Sequence, residues 1–282
     1  MSRPLRIAFP GATYHITVRG NEKKDIYFCD ADRRLFLRIL DRTIHTHHWI
    51  CHAYCLMGNH YHLLIETPDG NLSEGMRQLN GTYAQKINER YRRVGHLFQG
   101  RFKAFLIENI FYLVTVARYI VLNPVRAGIV KEPAAYDWSS FRQTAGLARK
   151  RNFLTISDIL IRFSTNQMLA QKRYLDFVLE KIPPLSPFKE ARHQILGSEQ
   201  FIFEAENWQV DDIGEEIPRE QRMIGRPNLE DMFSRRLKRD ERNSVIRFAV
   251  EQCGYSQSVV ARHLHLHYST VFRVLKMHRF KT

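Results

Sequence analysis

Met57-Gly58-Asn59-His60-Tyr61-His62-Leu63-Leu64-Ile65-Glu66 is the stretch from which the fold can be read. Gly58-Asn59 is a hairpin turn signal between two strand-like runs. The run 49–57 contains Trp49, Ile50, Tyr54 and Leu56, and residues 60–66 form the returning strand. Side chains two apart on a strand point the same way. His60 and His62 therefore project from one face, while Tyr61, Leu63 and Ile65 can pack into a core on the other. Two adjacent imidazoles make a half-site for a divalent metal. In a chain with 13 histidines, two hydrogen-bonded or solvent-facing rings would give the same pattern.

Working outward, residues 12–18 alternate, with Thr13, His15 and Thr17 set against Tyr14, Ile16 and Val18, and read as a strand. The periodicity predicts an amphipathic helix over 31–46, capped by Asp30, with Leu35, Phe36, Ile39 and Leu40 as its apolar stripe. A polar helix over 72–93, a strand near 101–107 and an apolar helix near 110–122, ended by Pro124, complete the series. The order β-α-β-β-α-β-α predicts an α+β sandwich with a mainly antiparallel, ferredoxin-like sheet.

The apolar helix carries one stripe of Ile110, Leu113, Val114, Ala117 and Val121 and another of Tyr112, Val116, Tyr119 and Asn123. Tyr119 and Asn123 are i and i+4, neighbours on one helix face. A phenol and an amide oxygen held there could offer a nucleophile and a metal ligand to one phosphate. A half-buried packing tyrosine reads the same way. Asn123 precedes a proline, which resists the α conformation, so it belongs at the helix end.

The formal net charge is +14 and the sequence pI about 9.8, which favours a polyanionic partner, nucleic acid before membrane. No run of 18 apolar residues argues for a membrane span. The N-terminus lacks the long apolar region of a signal peptide. Four cysteines make no disulfide framework, so a reducing cytoplasm is expected. His45, His47 and His48 near Cys51 and Cys55 offer only a weak zinc spacing and read better as a helix end beside packed thiols. Between 86 and 103, Lys86, Arg90, Arg92, Arg93, Arg101 and Lys103 are interleaved with Tyr91, Phe98 and Phe102. Cations for phosphates and rings for unpaired bases suit single-stranded DNA, although a solvated basic helix face is the plainer reading.

Residues 183–187 break the pattern, 199–220 are acidic with little periodicity, and 228–282 turn basic and helical. The chain therefore divides into a domain over 1–150, a partly helical connecting region over 151–224 and a module over 225–282. In that module, short amphipathic segments around Asn243–Val250, Gly254–Leu264 and His267–Lys276 suit an all-α helix-turn-helix, a packing hairpin being the alternative. Arg262, His267, Tyr268, Ser269, Thr270 and Arg273 would face duplex DNA. The pattern resembles the DNA-binding domain of the replication initiator DnaA.

The segments YHITVRGN (14–21), MGNHYHLLIE (57–66), GHLFQGRFKAFLIE (95–108), ARYIVLNPVRAGIV (117–130) and YDWSSF (136–141) together resemble one family, the single-tyrosine HUH transposases, in particular the REP-associated tyrosine transposases. The resemblance spans about residues 5–145, with the blocks in family order. It implies an HUH nuclease core that is a metal-dependent, single-strand-specific DNA endonuclease and strand transferase acting at hairpin-forming repeats. His60 and His62 would bind Mg²⁺ or Mn²⁺, Asn123 would be a third ligand, and Tyr119 would be the nucleophile. The implied reaction makes a 5′-phosphotyrosine and a free 3′-hydroxyl, a transesterification needing no ATP. Glu66, on the histidine face of its strand, is a candidate to take the phenol proton. Arg19 and Arg126 fall within matched motifs and would touch DNA. The middle residue of the HUH motif is usually aliphatic; Tyr61 departs from this but can still face the core. A monomer or homodimer binding single-stranded or hairpin DNA, with flanking duplex held by the C-terminal module, is expected. A non-catalytic DNA-binding regulator and a replication-initiator-type nickase are the competing readings.

Overall fold

In the computed structural model, residues 7–180, 186–189, 191–207, 229–233, 239–252, 255, 257–264, 266, 270–271 and 274–275 are described. The chain forms two units, Met1–Asp211 and Asp212–Thr282.

The first unit is built on the hairpin. Strand β1 (Ala12–Arg19) leads to helix α1 (Asp30–His47), then β2 (Ile50–Leu56), β3 (His60–Thr67), α2 (Leu72–Tyr91), β4 (Lys103–Ile107) and α3 (Asn109–Val121). Among the described residues the sheet order is β2-β3-β1-β4-β5, where β5 is Ile195–Leu196. The first four strands pair antiparallel throughout, the ferredoxin-like arrangement that the element order predicts. β5 adds to the β4 edge in parallel and has no counterpart in the sequence reading. Two residues carry no alternation to detect.

The alternation of β3 separates two layers. On one face Tyr61, fully buried, meets Phe36 of α1 with ring centroids 4.6 Å apart and donates a 2.5 Å hydrogen bond to Asn80 of α2. A phenol can replace an aliphatic residue there because its apolar body fills the core and its hydroxyl finds a partner. α3 lies over the other face, the one that carries His62, whose ring meets that of Tyr119. α2 approaches the sheet closely at Gly75, where an added Cβ would stand 2.1 Å from the Trp49 ring.

α1 begins one residue earlier than predicted. Asp30, expected as the cap, is its first helical residue, and Cys29 occupies the cap position. The third helical residue, Asp32, reaches back with its carboxylate to accept from the backbone N–H of Cys29 at 3.1 Å and of Phe28 at 2.9 Å, the second half of a capping box. The predicted stripe is present, with Phe36 and Leu40 buried and Leu35 and Ile39 packed partly against the core.

Residues beyond 150 belong to the same core. Leu154, Ile159, Ala170, Tyr174 and Val178 are buried in it, the last three from the helix Gln167–Leu179. Leu154 also bridges to Cys51, and Ser139 to Cys55, so the outer edge of β2 is covered.

In the second unit, a helix over Arg239–Arg247 continues into a π-helical stretch, Phe248–Gln252, and is followed by a helix over Gln257–His263. Ile246, Ala249, Tyr255, Val260, Ala261 and Val271 form its core. No described helix is long and apolar enough to cross a membrane.

Candidate active site

Antiparallel pairing brings the polar faces of β1 and β3 together. Thr17 lies opposite His62 and Arg19 opposite His60, so the two predicted histidines share their face with His15, Thr17 and Arg19. α3 crosses this face and places Tyr119 edge-on to His62, ring centroids 6.2 Å apart. His60 and His62 are themselves 5.0 Å apart, also edge to face. A cavity of about 1180 Å³ opens here, lined by His60, His62, Tyr119, Asn123, Thr17 and Arg19, and by Arg101 and Lys103 before and at the start of β4.

α3 stops at Val121, and Pro124 lies within the first turn of a separate short helix, α4 (Asn123–Arg126). A proline is accepted there because its missing N–H would be unpaired anyway. The break leaves Asn123 a turn beyond Tyr119, its Nδ2 donating to the carbonyls of Tyr119 at 2.9 Å and Ile120 at 3.2 Å. Those bonds commit the amide nitrogen, so Oδ1 is the atom with ligand chemistry to offer. The Arg126 guanidinium lies 5.2 Å from the centre of the Tyr119 ring.

Burial makes both histidines neutral donors. It pushes His62 well below the ordinary imidazole range, with His15, His60 and Arg19 adding to the effect. His60 is lowered to about 4, by burial first and by the charge of Arg19 second. His62 Nε2 is buried with no hydrogen-bond partner among the described residues. A buried ring nitrogen left unpaired is costly unless something meets it, and a lone pair on a neutral ring is what a divalent cation takes. His60, His62 and Asn123 thus fit a metal.

His15 was missed as a site residue. Its ring is buried, stacks on His62 at 5.1 Å and stands edge-on to Tyr119 at 6.0 Å. The signal existed, because His15 lies on the polar side of the β1 alternation, but only the β1–β3 pairing makes that side the histidine face. Phe188, His193, Gln194 and Glu206 were also unforeseen. Phe188 stacks on His15 at 4.4 Å and meets Tyr119 at 5.3 Å. The other three line the cavity.

Glu66 shares the strand face of the histidines but does not line the cavity. Four residues at about 3.3 Å each put it roughly 13 Å along the strand from His62. It lies instead by the buried His52, whose Nε2 is 3.3 Å from Glu66 and whose Nδ1 is 3.6 Å from Asp158. Those three residues are close enough to be considered for a metal. The two carboxylates, however, face different ring nitrogens, an arrangement that bridges the imidazole instead of converging on one ion.

The predicted DNA-contacting cations divide. Arg19, Arg101 and Lys103 line the cavity. Arg90 reaches the buried Asp32 at 3.1 Å, and Arg93 lies 5.1 Å from the Phe28 ring, so both belong to a cluster where α1 begins and α2 ends. In the second unit Arg262 is exposed and Thr270 partly buried, while His267, Tyr268, Ser269 and Arg273 lie outside the described residues. Cys51 and Cys55 are buried thiols, pushed far up by burial and unsuited to serve as thiolate ligands.

No curated protein matches the chain. Among solved structures, it is similar to one described as a REP-associated tyrosine transposase bound to a REP hairpin, with 20% identity, 55% of this chain and 90% of the other covered, and a TM-score of 0.46. Residues 8–123, the segment that carries every sheet strand but β5 together with His60, His62, Tyr119 and Asn123, match the family described as IS200-like transposases.

Proposed function

We propose that the chain is a metal-dependent endonuclease and strand transferase for single-stranded DNA, with Tyr119 as nucleophile and hairpin-forming repeats as substrate. The observation that carries this reading is the convergence of Tyr119 and His62, ring centroids 6.2 Å apart, in a cavity shared with His60, Arg19, Arg101 and Lys103. The substrate class follows from the resemblance of the motif blocks to the REP-associated transposases.

Arg19, Arg101 and Lys103 would hold the backbone on either side of the scissile phosphate, and hydrogen bonds from Asn123 to the α3 carbonyls fix the helix end beside it. The Tyr119 oxygen bonds to phosphorus and the bond to the 3′ oxygen breaks, leaving a 5′-phosphotyrosine and a 3′-hydroxyl. The proton lost by the phenol is balanced by the one gained at the 3′ oxygen. One phosphodiester replaces another, so an incoming 3′-hydroxyl can reverse the attack and join strands. His60, His62 and the Asn123 amide oxygen would hold Mg²⁺ or Mn²⁺, which when bound withdraws charge from the phosphate oxygens. The second unit is proposed to hold flanking duplex as a helix-turn-helix.

The test is a denaturing gel with a labelled hairpin oligonucleotide and Mn²⁺. Wild type should give a protein–DNA adduct, and Tyr119→Phe and His62→Ala should not. An adduct that persists in Tyr119→Phe overturns the assignment of the nucleophile. For the second unit, deleting 225–282 should weaken duplex binding and leave cleavage of the unpaired strand; unchanged duplex affinity refutes that role.

A further inference from the structure

Resting on the metal reading above, we propose that His15 is a positioning residue that sets the proton on His62, so that Nε2 of His62 meets the cavity as a lone pair. His15 Nε2 and His62 Nδ1 are 2.9 Å apart. The two rings lie nearly parallel, 11° between planes. A neutral imidazole carries one N–H and one lone pair, so a hydrogen bond between two such rings has two arrangements. If His15 donates from Nε2, His62 accepts at Nδ1 and must carry its own proton on Nε2, where it blocks a cation. If His62 donates from Nδ1, its Nε2 is a lone pair and His15 is the acceptor. Only the second arrangement can ligate.

The surroundings hold His15 in place for that task. Phe188 stacks on its ring at 4.4 Å, Phe105 packs beside it at 6.2 Å and Tyr119 closes its edge. The ring is buried among them, with 2% of the residue's surface exposed. Its other nitrogen, Nδ1, has no hydrogen-bond partner among the described residues. Nothing on that side dictates where His15 carries its own proton, so it is free to be the acceptor. Metal-bound histidines ordinarily donate their second N–H to a carboxylate or a carbonyl, which fixes tautomer and orientation. Here a buried imidazole takes that place. β1 supplies it because Thr17 lies opposite His62 and His15, two residues earlier on the same face of that strand, lies diagonal to it.

The experiment uses the full chain and Mn²⁺ as probe. Titration calorimetry should give a wild-type affinity that His15→Leu weakens roughly 10- to 100-fold, the usual loss when such a partner is removed. His15→Gln, whose Oε1 can accept the same hydrogen bond, should lie closer to wild type than to His15→Leu. Long-range ¹H–¹⁵N spectra of the metal-free protein should show His62 protonated on Nδ1. This readout does not depend on activity, and it remains decisive if His15→Leu fails to fold. A metal-free His62 protonated on Nε2, or an unchanged Mn²⁺ affinity in a folded His15→Leu, overturns the proposal. If Mn²⁺ binds His62→Ala as tightly as wild type, the metal assignment itself falls instead.

Discussion

Lowering the pH from 7 to 5 should destabilise the first unit, and His15 should carry a defined share of the loss. Burial lowers this imidazole from its ordinary value of 6.5 to about 3. A depressed folded-state value means that the unfolded chain binds the proton more readily. The stabilisation is therefore complete above pH 6.5 and is lost as the pH falls toward 3. At 1.36 kcal/mol per pH unit the ceiling is about 5 kcal/mol, of which about 2 kcal/mol is forfeited between pH 7 and pH 5. Urea unfolding followed by tryptophan fluorescence measures this in the right unit, because Trp49 and Trp138 pack in or against its core and the sequence of Asp212–Thr282 contains no tryptophan. Wild type should lose about 2 kcal/mol more than His15→Gln between the two pH values. His62 shifts in the same direction and is itself lowered in part by His15, so the difference reports His15 together with its effect on His62. Equal losses in the two proteins would refute the reasoning.

Asp32→Ala should cost on the order of 2–4 kcal/mol in the same urea assay, because it removes the cap box together with every hydrogen bond that this buried carboxylate accepts. That carboxylate accepts from two backbone N–H groups, from Tyr91 and from Arg90; a loss below about 1 kcal/mol would show that the network is dispensable. Gly75→Ala drives a methyl group into the Trp49 ring and should lower stability by about 1–3 kcal/mol, seen as a reduced urea midpoint. Arg101→Ala and Lys103→Ala should each reduce the salt dependence of single-strand binding, by about 0.7 in the logarithmic slope for each phosphate that is no longer neutralised. Arg90→Ala, with its guanidinium on Asp32, should leave the slope unchanged; filter binding at several salt concentrations distinguishes them.

The first sheet strands were legible because their signal is local. Alternation marks which residues of a strand share a face, and the Gly58-Asn59 turn announces that 49–57 and 60–66 return on one another. The same rule put Tyr61 in the core and His62 opposite, as found. Glu66 shows where that rule stops, since a shared face is not a shared place. The α1 cap was misread for a related reason: Asp30 is a good cap by type, but Asp32 reaches back to the N–H of Cys29. Residues 151–179 gave little signal because one of their helices, Ser157–Leu160, is a single turn, too short for periodicity. Phe188 comes from a short 3₁₀ turn, Pro187–Lys189, that no pattern distinguishes from a linker.

By itself, then, the sequence determined the order and type of the N-terminal elements, the side of β3 on which His60 and His62 stand, and the helix face shared by Tyr119 and Asn123. Those are properties of periodicity within one segment. Only the tertiary structure decided that α3 crosses the histidine face, that His15 lies against His62, that Phe188 packs against His15 and Tyr119, and that Arg90 is held by Asp32 while Arg101 meets the cavity. Such pairings join residues separated by tens of positions, and their geometry is set by strand register and chain crossing, which short-range spacing does not encode.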